Sequence, residues 1–205
     1  MPEVIHLIID LTLFIKDCNI SEDYSLWNRF LSGEERAYSA IYERYAKKLI
    51  IQGLLFTADR ELIKDCVHDI FVKLYRNRTN LKPVNNLKEY LFMALRNTVI
   101  STITKQKISF ESINDWQEYF QIADSGSIED NFIDEETLQI NKELMANTLS
   151  KLTIRQKEVV HYRFYENMSI DEISAIMDMN YQSTQNLLQR ALKNLSQILK
   201  KNQNK

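Results

Sequence analysis

Residues 181–193 combine amide, hydroxyl and cationic side chains at helical spacing. The amides at 182, 185, 186 and 189 recur every three or four residues, so they form one stripe on an α-helix. An Asn or Gln side chain can bond adenine through both N6 and N7 in the DNA major groove. The pattern therefore indicates a base-reading helix, and the alternative is an ordinary helical hairpin with a polar outer face. The candidate DNA contacts are Tyr181, Gln182, Ser183, Gln185, Asn186, Gln189, Arg190 and Lys193.

Two helices are predicted before this stripe. Thr153 and Gln156 have capping-box spacing and open a helix that reaches Tyr165, where "ENM" ends it. A second capping box, "SIDE", opens the next helix, and "DMN" forms the turn. Asp178 lies where a left-handed residue is needed, a conformation that Asp tolerates well. The inward positions of the last helix are Thr184, Leu188, Ala191 and Leu195. The arrangement predicts a helix-turn-helix.

A second polar group raises the question of metal chemistry. Asp65, His68 and Asp69 stand at i, i+3 and i+4, so all three project from one helix face. Di-iron bundles use acid-x-x-His motifs, but they need two of them and further acids from neighbouring helices. The chain has no phosphate-binding loop and no nucleophile motif with a credible His partner. We therefore expect no metal, no cofactor, no small-molecule substrate and no enzymatic activity.

Composition predicts an all-α protein. Of 205 residues, only three are Gly and two are Pro, so little material exists for tight β-turns. Cys18 and Cys66 are lone thiols, which favours a reducing cytoplasm. The apolar run "VIHLIIDLTLFI" spans twelve residues and contains Asp10, whereas a membrane span needs about 20 apolar residues. It is interpreted as an extra packed helix or extension; the alternatives are an over-called start site and a membrane-contacting segment.

Charge is distributed unevenly along the chain. Residues 28–107 carry a net +7, residues 108–141 carry −9 with no Lys or Arg, and residues 142–205 carry +4. Two basic domains joined by an acidic connector suggest a polyanionic partner, and the alternative is solvated helix surfaces. The predicted divisions are an extension at 1–23, a helical domain at 24–107, a linker at 108–141 and the helix-turn-helix domain at 142–205.

Residues 24–107 are predicted to form three or four helices. One extends from about Glu34 to Leu55, one capped by Asp59 reaches about Asn77, and one capped by Asn86 reaches about Thr104. The motifs "AYSAIYERYAKKLI", "ADRELIKDCVHDIFVKLY" and "LKEYLFMALRNTVISTI" precede "LTIRQKEVVHYRFYENMSIDEISAIMDMNYQSTQNLLQRALKNL". In this order they resemble the two conserved regions of extracytoplasmic-function (ECF) sigma factors of bacterial RNA polymerase.

The resemblance implies a role for each part of the chain. The helix with Asp65, His68, Asp69 and Phe71 would dock on the clamp helices of core RNA polymerase. The helix from Tyr181 would read the minus-thirty-five element of promoter DNA, and the acidic linker would follow the RNA exit path. An anti-sigma factor, often membrane-bound, is a further implied partner, and a stand-alone helix-turn-helix regulator is the alternative. The residues implied in opening the minus-ten element are Arg76, Arg78, Asn80, Lys82, Tyr90, Arg96 and Asn97.

Four positions depart from the family's usual pattern. His68 stands where the family usually has Gln, and Asp178 replaces a usual Gly. Gln185 and Leu187 occupy positions where the family often has a basic residue. We therefore expect the recognition helix to depend less on phosphate charge and more on amide contacts.

Overall fold

The computed structural model describes residues 20–106 and 149–203, which form two compact units. Residues 20–106 make up most of one unit, and residues 149–203 belong mainly to the other. The described residues contain helices and turns and no strand, so the all-α prediction is confirmed. The acidic linker at 108–141 and residues 1–19 of the predicted extension, including its apolar run, lie outside the described residues. The division at residues 23, 107 and 141 therefore stays a prediction.

The first unit contains four α-helices. They are α1 (Ile20–Leu31), α2 (Glu35–Gly53), α3 (Arg60–Arg76) and α4 (Leu87–Gln106), with a 3-10 turn at Arg78–Asn80. The Asp59 carboxylate accepts from the Leu62 N–H at 3.0 Å and caps α3. The Asn86 amide oxygen accepts from the Glu89 N–H at 3.0 Å and caps α4. Both caps agree with the sequence prediction, since a cap depends only on residues within one turn.

Helix α2 is central in the first unit and contacts α1, α3 and α4. The packing of α2 on α3 is close at Gly53, because a Cβ there would lie 2.5 Å from Ile63 Cγ2. The Arg44 guanidinium and the Tyr45 hydroxyl both donate to the Asp23 carboxylate, which ties α2 to α1. Fully buried side chains include Trp27, Phe30, Ile41, Leu49, Phe56, Phe71, Phe92 and Leu95. Burying each large apolar side chain stabilises the fold by about 1.5–3 kcal/mol.

The second unit carries the predicted helix-turn-helix. It contains α5 (Ile154–Val160), most of α6 (Ile170–Met177) and α7 (Tyr181–Gln203). Thr153 and Gln156 form the predicted capping box, and Ser169 and Glu172 form the second one. Asp178 adopts φ +52°, as predicted for the turn, and the turn ends at Asn180, whose amide oxygen accepts from the Ser183 N–H at 2.7 Å.

One local feature differs from the prediction. The helix predicted from Thr153 to Tyr165 changes at Val160 into a π-helical segment, His161–Tyr165. The His161 and Tyr165 rings stack with centroids 5.3 Å apart, and Arg163 Nη1 donates to the Met168 carbonyl at 2.9 Å. Asn167, at φ +50°, then redirects the chain towards α6. Hydrophobic periodicity over five residues does not separate a π-turn from an α-turn, so this shift was not predictable.

Candidate nucleic-acid and protein interfaces

The inner face of α7 is held against the rest of the second unit. Thr184, Leu188, Ala191 and Leu195 are all buried, as predicted. The Ser174 hydroxyl of α6 donates to Thr184 Oγ1 at 3.0 Å, and Thr184 Oγ1 lies 3.1 Å from the Asn180 carbonyl. These short polar contacts join α6, the turn and α7. The orientation of α7 relative to α6 is therefore set by packing and by hydrogen bonds together.

The outer face of α7 presents the predicted stripe with one difference. Gln182, Asn186 and Gln189 are exposed, whereas Gln185 is half-buried. At about 100° per residue, position 185 lies closest to the buried stripe at 188, which explains its lower exposure. Gln182 Nε2 donates to Asn186 Oδ1 at 3.2 Å, so these two amides form a pair.

The remaining predicted contacts of α7 surround this stripe. Tyr181 is 49% exposed at the start of the helix, and Ser183 is half-buried two residues later. Arg190 and Lys193 are exposed further along, and Arg190 Nε donates to the Asn186 carbonyl at 3.2 Å. The stripe therefore offers amide donors and acceptors near its start and cationic groups one to two turns later. This order suits base contacts followed by phosphate contacts.

On α3 the predicted docking residues separate into two groups. Asp65, His68 and Asp69 are exposed on one face of the helix. Phe71 does not lie on that surface, because its side chain is only 1% exposed and packs against Tyr42 with ring centroids 4.8 Å apart. Phe71 therefore supports the helix from beneath, and its placement on the docking surface is corrected. Periodicity alone does not show which side of an aromatic residue a neighbouring helix covers.

The loop after α3 is held in place by contacts that the sequence did not indicate. The Arg78 guanidinium lies over the Tyr75 ring, 5.7 Å from its centroid, which is a cation–π contact. Trp27 of α1 donates its indole N–H to the Lys82 carbonyl at 3.2 Å. The Trp27 ring also lies 5.7 Å from the Tyr90 ring of α4. Lys82 and Tyr90 therefore both contact Trp27, and the sequence analysis predicted neither contact.

The other predicted promoter-opening residues lie at the surface around this loop. Arg76 ends α3, and Asn80 ends the 3-10 turn; both are exposed. On α4, Tyr90 and Asn97 are seven residues apart, so they share a helix face and are separated by about 10 Å along the axis. Arg96 is half-buried and Asn97 is exposed. The structure therefore presents cationic, amide and aromatic groups on one loop and the helix that follows it.

Burial shifts the pKa of a thiol on α3 and of a lysine in the second unit. Burial raises the pKa of the Cys66 thiol on α3, which keeps the sulfur protonated near neutral pH. In the second unit, burial lowers the pKa of Lys157. The acid-x-x-His spacing recurs at Glu158 and His161, but both side chains are buried there, and the Tyr162 hydroxyl donates to Glu158 Oε1 at 3.5 Å. Within residues 20–106 and 149–203, no three His, Cys, Asp or Glu side chains form a possible metal-binding group.

Two family models match the two units separately. Residues 36–108 match sigma-70 region 2, and residues 142–195 match sigma-70 region 4, so together they cover more than half of the chain. The chain therefore belongs to the sigma-70 family, the transcription initiation factors that bind core RNA polymerase and direct it to promoters. Its relatives identify the group within that family as the ECF sigma factors. A stand-alone helix-turn-helix regulator is not favoured, because it leaves the region 2 match unexplained.

The similar proteins are distant in sequence. The chain is 24% identical to the ECF RNA polymerase sigma-E factor of Haemophilus influenzae over 164 residues, covering 76% of this chain and 84% of that one. It is 23% identical to RNA polymerase sigma factor SigZ of Bacillus subtilis over 141 residues, covering 69% of this chain and 74% of that one.

Two solved structures share the fold. One is CnrH in complex with the cytosolic domain of CnrY, with a TM-score of 0.56 and 20% identity, covering 87% of this chain and 97% of that one. The other is the sigma factor RpoE of Bartonella quintana in complex with the anti-sigma factor NepR, with a TM-score of 0.56 and 19% identity, covering 80% and 96%. At this level of identity the likeness concerns the fold alone.

Proposed function

We propose that three separate surfaces of this sigma factor divide the work of initiation. The exposed face of α3 docks on the clamp helices of core RNA polymerase. The loop at 76–82 and the outer face of α4 capture and open the minus-ten element. The outer face of α7 reads the minus-thirty-five element. One observation supports this proposal most strongly. The exposed members of the three predicted residue groups lie on three different surfaces, and buried contacts hold each of these surfaces in place.

The docking surface on α3 is proposed from its charge and rigidity. Asp65 and Asp69 lie one helical turn apart and project to solvent beside His68. The helix beneath them is anchored by Phe71, whose backbone carbonyl accepts from the Tyr38 hydroxyl at 3.2 Å. A rigid acidic face suits a basic or hydrogen-bond-donating partner surface, where charges set register and encounter rate.

The promoter-opening surface is proposed from the chemistry that strand separation needs. Unstacked bases are captured by cationic, amide and aromatic groups. Arg76 and Asn80 in the loop and Asn97 on α4 are exposed and offer such groups. Half-buried Arg78, held over Tyr75, and Lys82, held by Trp27, place the loop backbone in one conformation. A preorganised loop loses less conformational entropy when it binds an extruded base.

Further features of this function are proposed from the family. Because core RNA polymerase is the partner, the protein acts in the cytoplasm, as a binding factor with no catalytic activity of its own. The helices within the described ranges lack the length and apolar character of a membrane-crossing helix. RpoE of Bartonella quintana was solved with an anti-sigma factor, and we propose a partner of that kind here. The acidic linker is proposed to lie in a basic channel of the polymerase.

The docking surface is tested by charge reversal. Replacing both Asp65 and Asp69 with Lys removes two acids and adds two cations on the proposed contact face. Affinity for core RNA polymerase should fall at least tenfold, which is about 1.4 kcal/mol. A pull-down titration measures it, with Glu43→Lys as a control, since Glu43 is an exposed acid on α2 and not on α3. Unchanged affinity in the double variant, with a normal thermal melt, would contradict the assignment.

The opening surface is tested by separating binding from strand opening. Asn80→Ala and Asn97→Ala remove exposed amides without touching the core, so core binding should be unchanged. Open-complex formation should fall, because captured bases lose hydrogen bonds worth about 1 kcal/mol each, or roughly fivefold. Permanganate reactivity of unpaired thymines reports the open complex. Full reactivity in both variants would show that the loop and α4 have only a structural role.

A further inference from the structure

Helix α1 lies outside the part of the chain that matches sigma-70 region 2, yet it makes direct contact with the promoter-opening loop. The match begins at residue 36, whereas α1 spans Ile20–Leu31. Trp27 of α1 is fully buried and donates its indole N–H to the Lys82 carbonyl across 55 positions of sequence. A buried Trp N–H normally requires such a partner, so the hydrogen bond and the ring packing reinforce each other.

The same residue also contacts the helix that continues the promoter-opening surface. The Trp27 ring lies 5.7 Å from the Tyr90 ring at the start of α4 and 5.4 Å from the Phe30 ring within α1. The loop between residues 80 and 87 therefore has a fixed contact at Lys82 and another just beyond its end. The loop has no helical hydrogen bonds of its own after Leu81, so these contacts add to the constraint that Pro83 places on its backbone.

The segment directly after α1 supports the other end of the loop. Gly33 has φ +103°, and a Cβ there would lie 3.6 Å from Nη2 of Arg78. Arg29 and Glu34 form an ion pair across this turn, which holds its ends together. Arg78 is thereby placed between the Gly33 turn and the Tyr75 ring. Helix α1 and its terminal turn thus contact the loop on both sides of Asn80.

We infer that Trp27 is a positioning residue for promoter opening, which sets the conformation of the 76–82 loop through the Lys82 carbonyl. The inference rests on the proposed role of that loop. Trp27 itself is buried and touches no DNA. Its indole N–H fixes where the backbone at Lys82 lies, and that in turn determines where Asn80 and the adjacent groups meet an extruded base. Loss of the hydrogen bond should therefore alter base preference and leave polymerase binding unchanged.

The test uses holoenzyme assembled from core RNA polymerase and the full-length chain carrying Trp116→Phe, in which Trp27 is the only tryptophan. Replacing that tryptophan with 3-benzothienylalanine keeps the ring size and exchanges the N–H for sulfur. Two promoters that differ at one minus-ten base pair compete for the holoenzyme, and permanganate reactivity measures the ratio of open complexes. This ratio does not depend on the active fraction of protein, so a general loss of stability does not change it.

We expect the benzothienyl protein to bind core RNA polymerase normally. The ratio of open complexes on the two promoters should fall about fivefold, which corresponds to the effect of one hydrogen bond. Trp27→Phe in the natural chain should shift the ratio in the same direction. Phe30→Leu is the matched control, because Phe30 is buried in the same aromatic group, where its ring packs on those of Trp27 and Tyr38, and the change keeps the indole N–H of Trp27. It should lower the melting temperature and keep the preference.

An unchanged ratio in the benzothienyl protein would overturn the inference. Asn80→Ala in the same competition tests the role of the loop separately from the role of Trp27. If Asn80→Ala changes opening and the benzothienyl protein does not, the loop acts as proposed but Trp27 does not position it. If Asn80→Ala also has no effect, the proposed role of the loop itself is wrong, and the inference falls with it.

Discussion

At the scale of single residues, the amides of α7 are not equivalent. Gln182 and Asn186 are exposed and hydrogen-bonded to each other, so reaching a base edge requires them to exchange this partner or to bind as a pair. Gln185 is half-buried, one helical turn before the buried Leu188. A partly buried side chain has less conformational entropy to lose on binding, and we therefore propose Gln185 as the amide of this stripe that reads one base.

The corresponding prediction contrasts an amide with a cation. Gln185→Ala should change the preferred upstream sequence by about 1–3 kcal/mol at one or two base pairs. Arg190→Ala should weaken binding to all promoters alike and reduce the salt slope by about one unit, because we propose that Arg190 contacts a phosphate. Selection from a randomised upstream hexamer measures the first effect, and a salt titration measures the second.

Gln197→Ala is the control for this pair, because Gln197 is an exposed amide on the same helix, three turns beyond Gln185. It should leave the selected sequence unchanged. If Gln185→Ala selects the wild-type sequence and Arg190→Ala selects a new one, the roles of the amide and the cation are reversed.

At the scale of elements, local rules predicted the helix ends well. The caps at Asn86, Thr153 and Ser169 were each predicted from a pair of residues three positions apart, the cap at Asp59 was predicted from that residue alone, and all four are present. The stability that a cap contributes is local, so a sequence pattern can reveal it.

The features that could not be predicted from the sequence depend on contacts between residues far apart in the chain. Phe71 was assigned to the docking surface through the family resemblance, whereas in the structure it is buried with Val67 and Leu74 on the inner face of α3. Trp27 gave no sign of reaching Lys82, since a contact across 55 positions leaves no periodic pattern. The α7 stripe was predictable because a buried face and an exposed face alternate within one helix. The docking and opening surfaces needed the family resemblance, since no local pattern shows which partner an exposed polar helix face or loop binds.

The second capping box gives an element-scale prediction. In Ser169→Ala, α6 loses the side chain that accepts from the Glu172 N–H at 3.3 Å. The free energy of unfolding should fall by about 1 kcal/mol. Urea denaturation followed by circular dichroism measures it. Ser101→Ala, at an exposed position inside α4, is the matched control and should be neutral or slightly stabilising, because Ala favours helix interiors. Equal stability of the Ser169 variant and the natural chain would show that this cap contributes nothing.

At the scale of the whole molecule, the charge pattern matches the division of roles. The net charge of −2 conceals two basic regions and one acidic segment of −9. Basic regions attract DNA over a Debye length of about 8–10 Å, and an acidic segment is repelled by it. The acidic segment therefore suits a protein channel better than a DNA surface. This sign change also explains why the total charge and the pI near 6.0 do not suggest a DNA-binding protein.

The most direct test of the central claim is run-off transcription with purified core RNA polymerase on a promoter library randomised in the upstream and minus-ten elements. Core enzyme with the full chain should produce discrete transcripts whose templates share one upstream motif and one minus-ten motif, and core enzyme alone should not. The account would be contradicted if the chain left the transcripts of core enzyme unchanged and eluted apart from it in gel filtration.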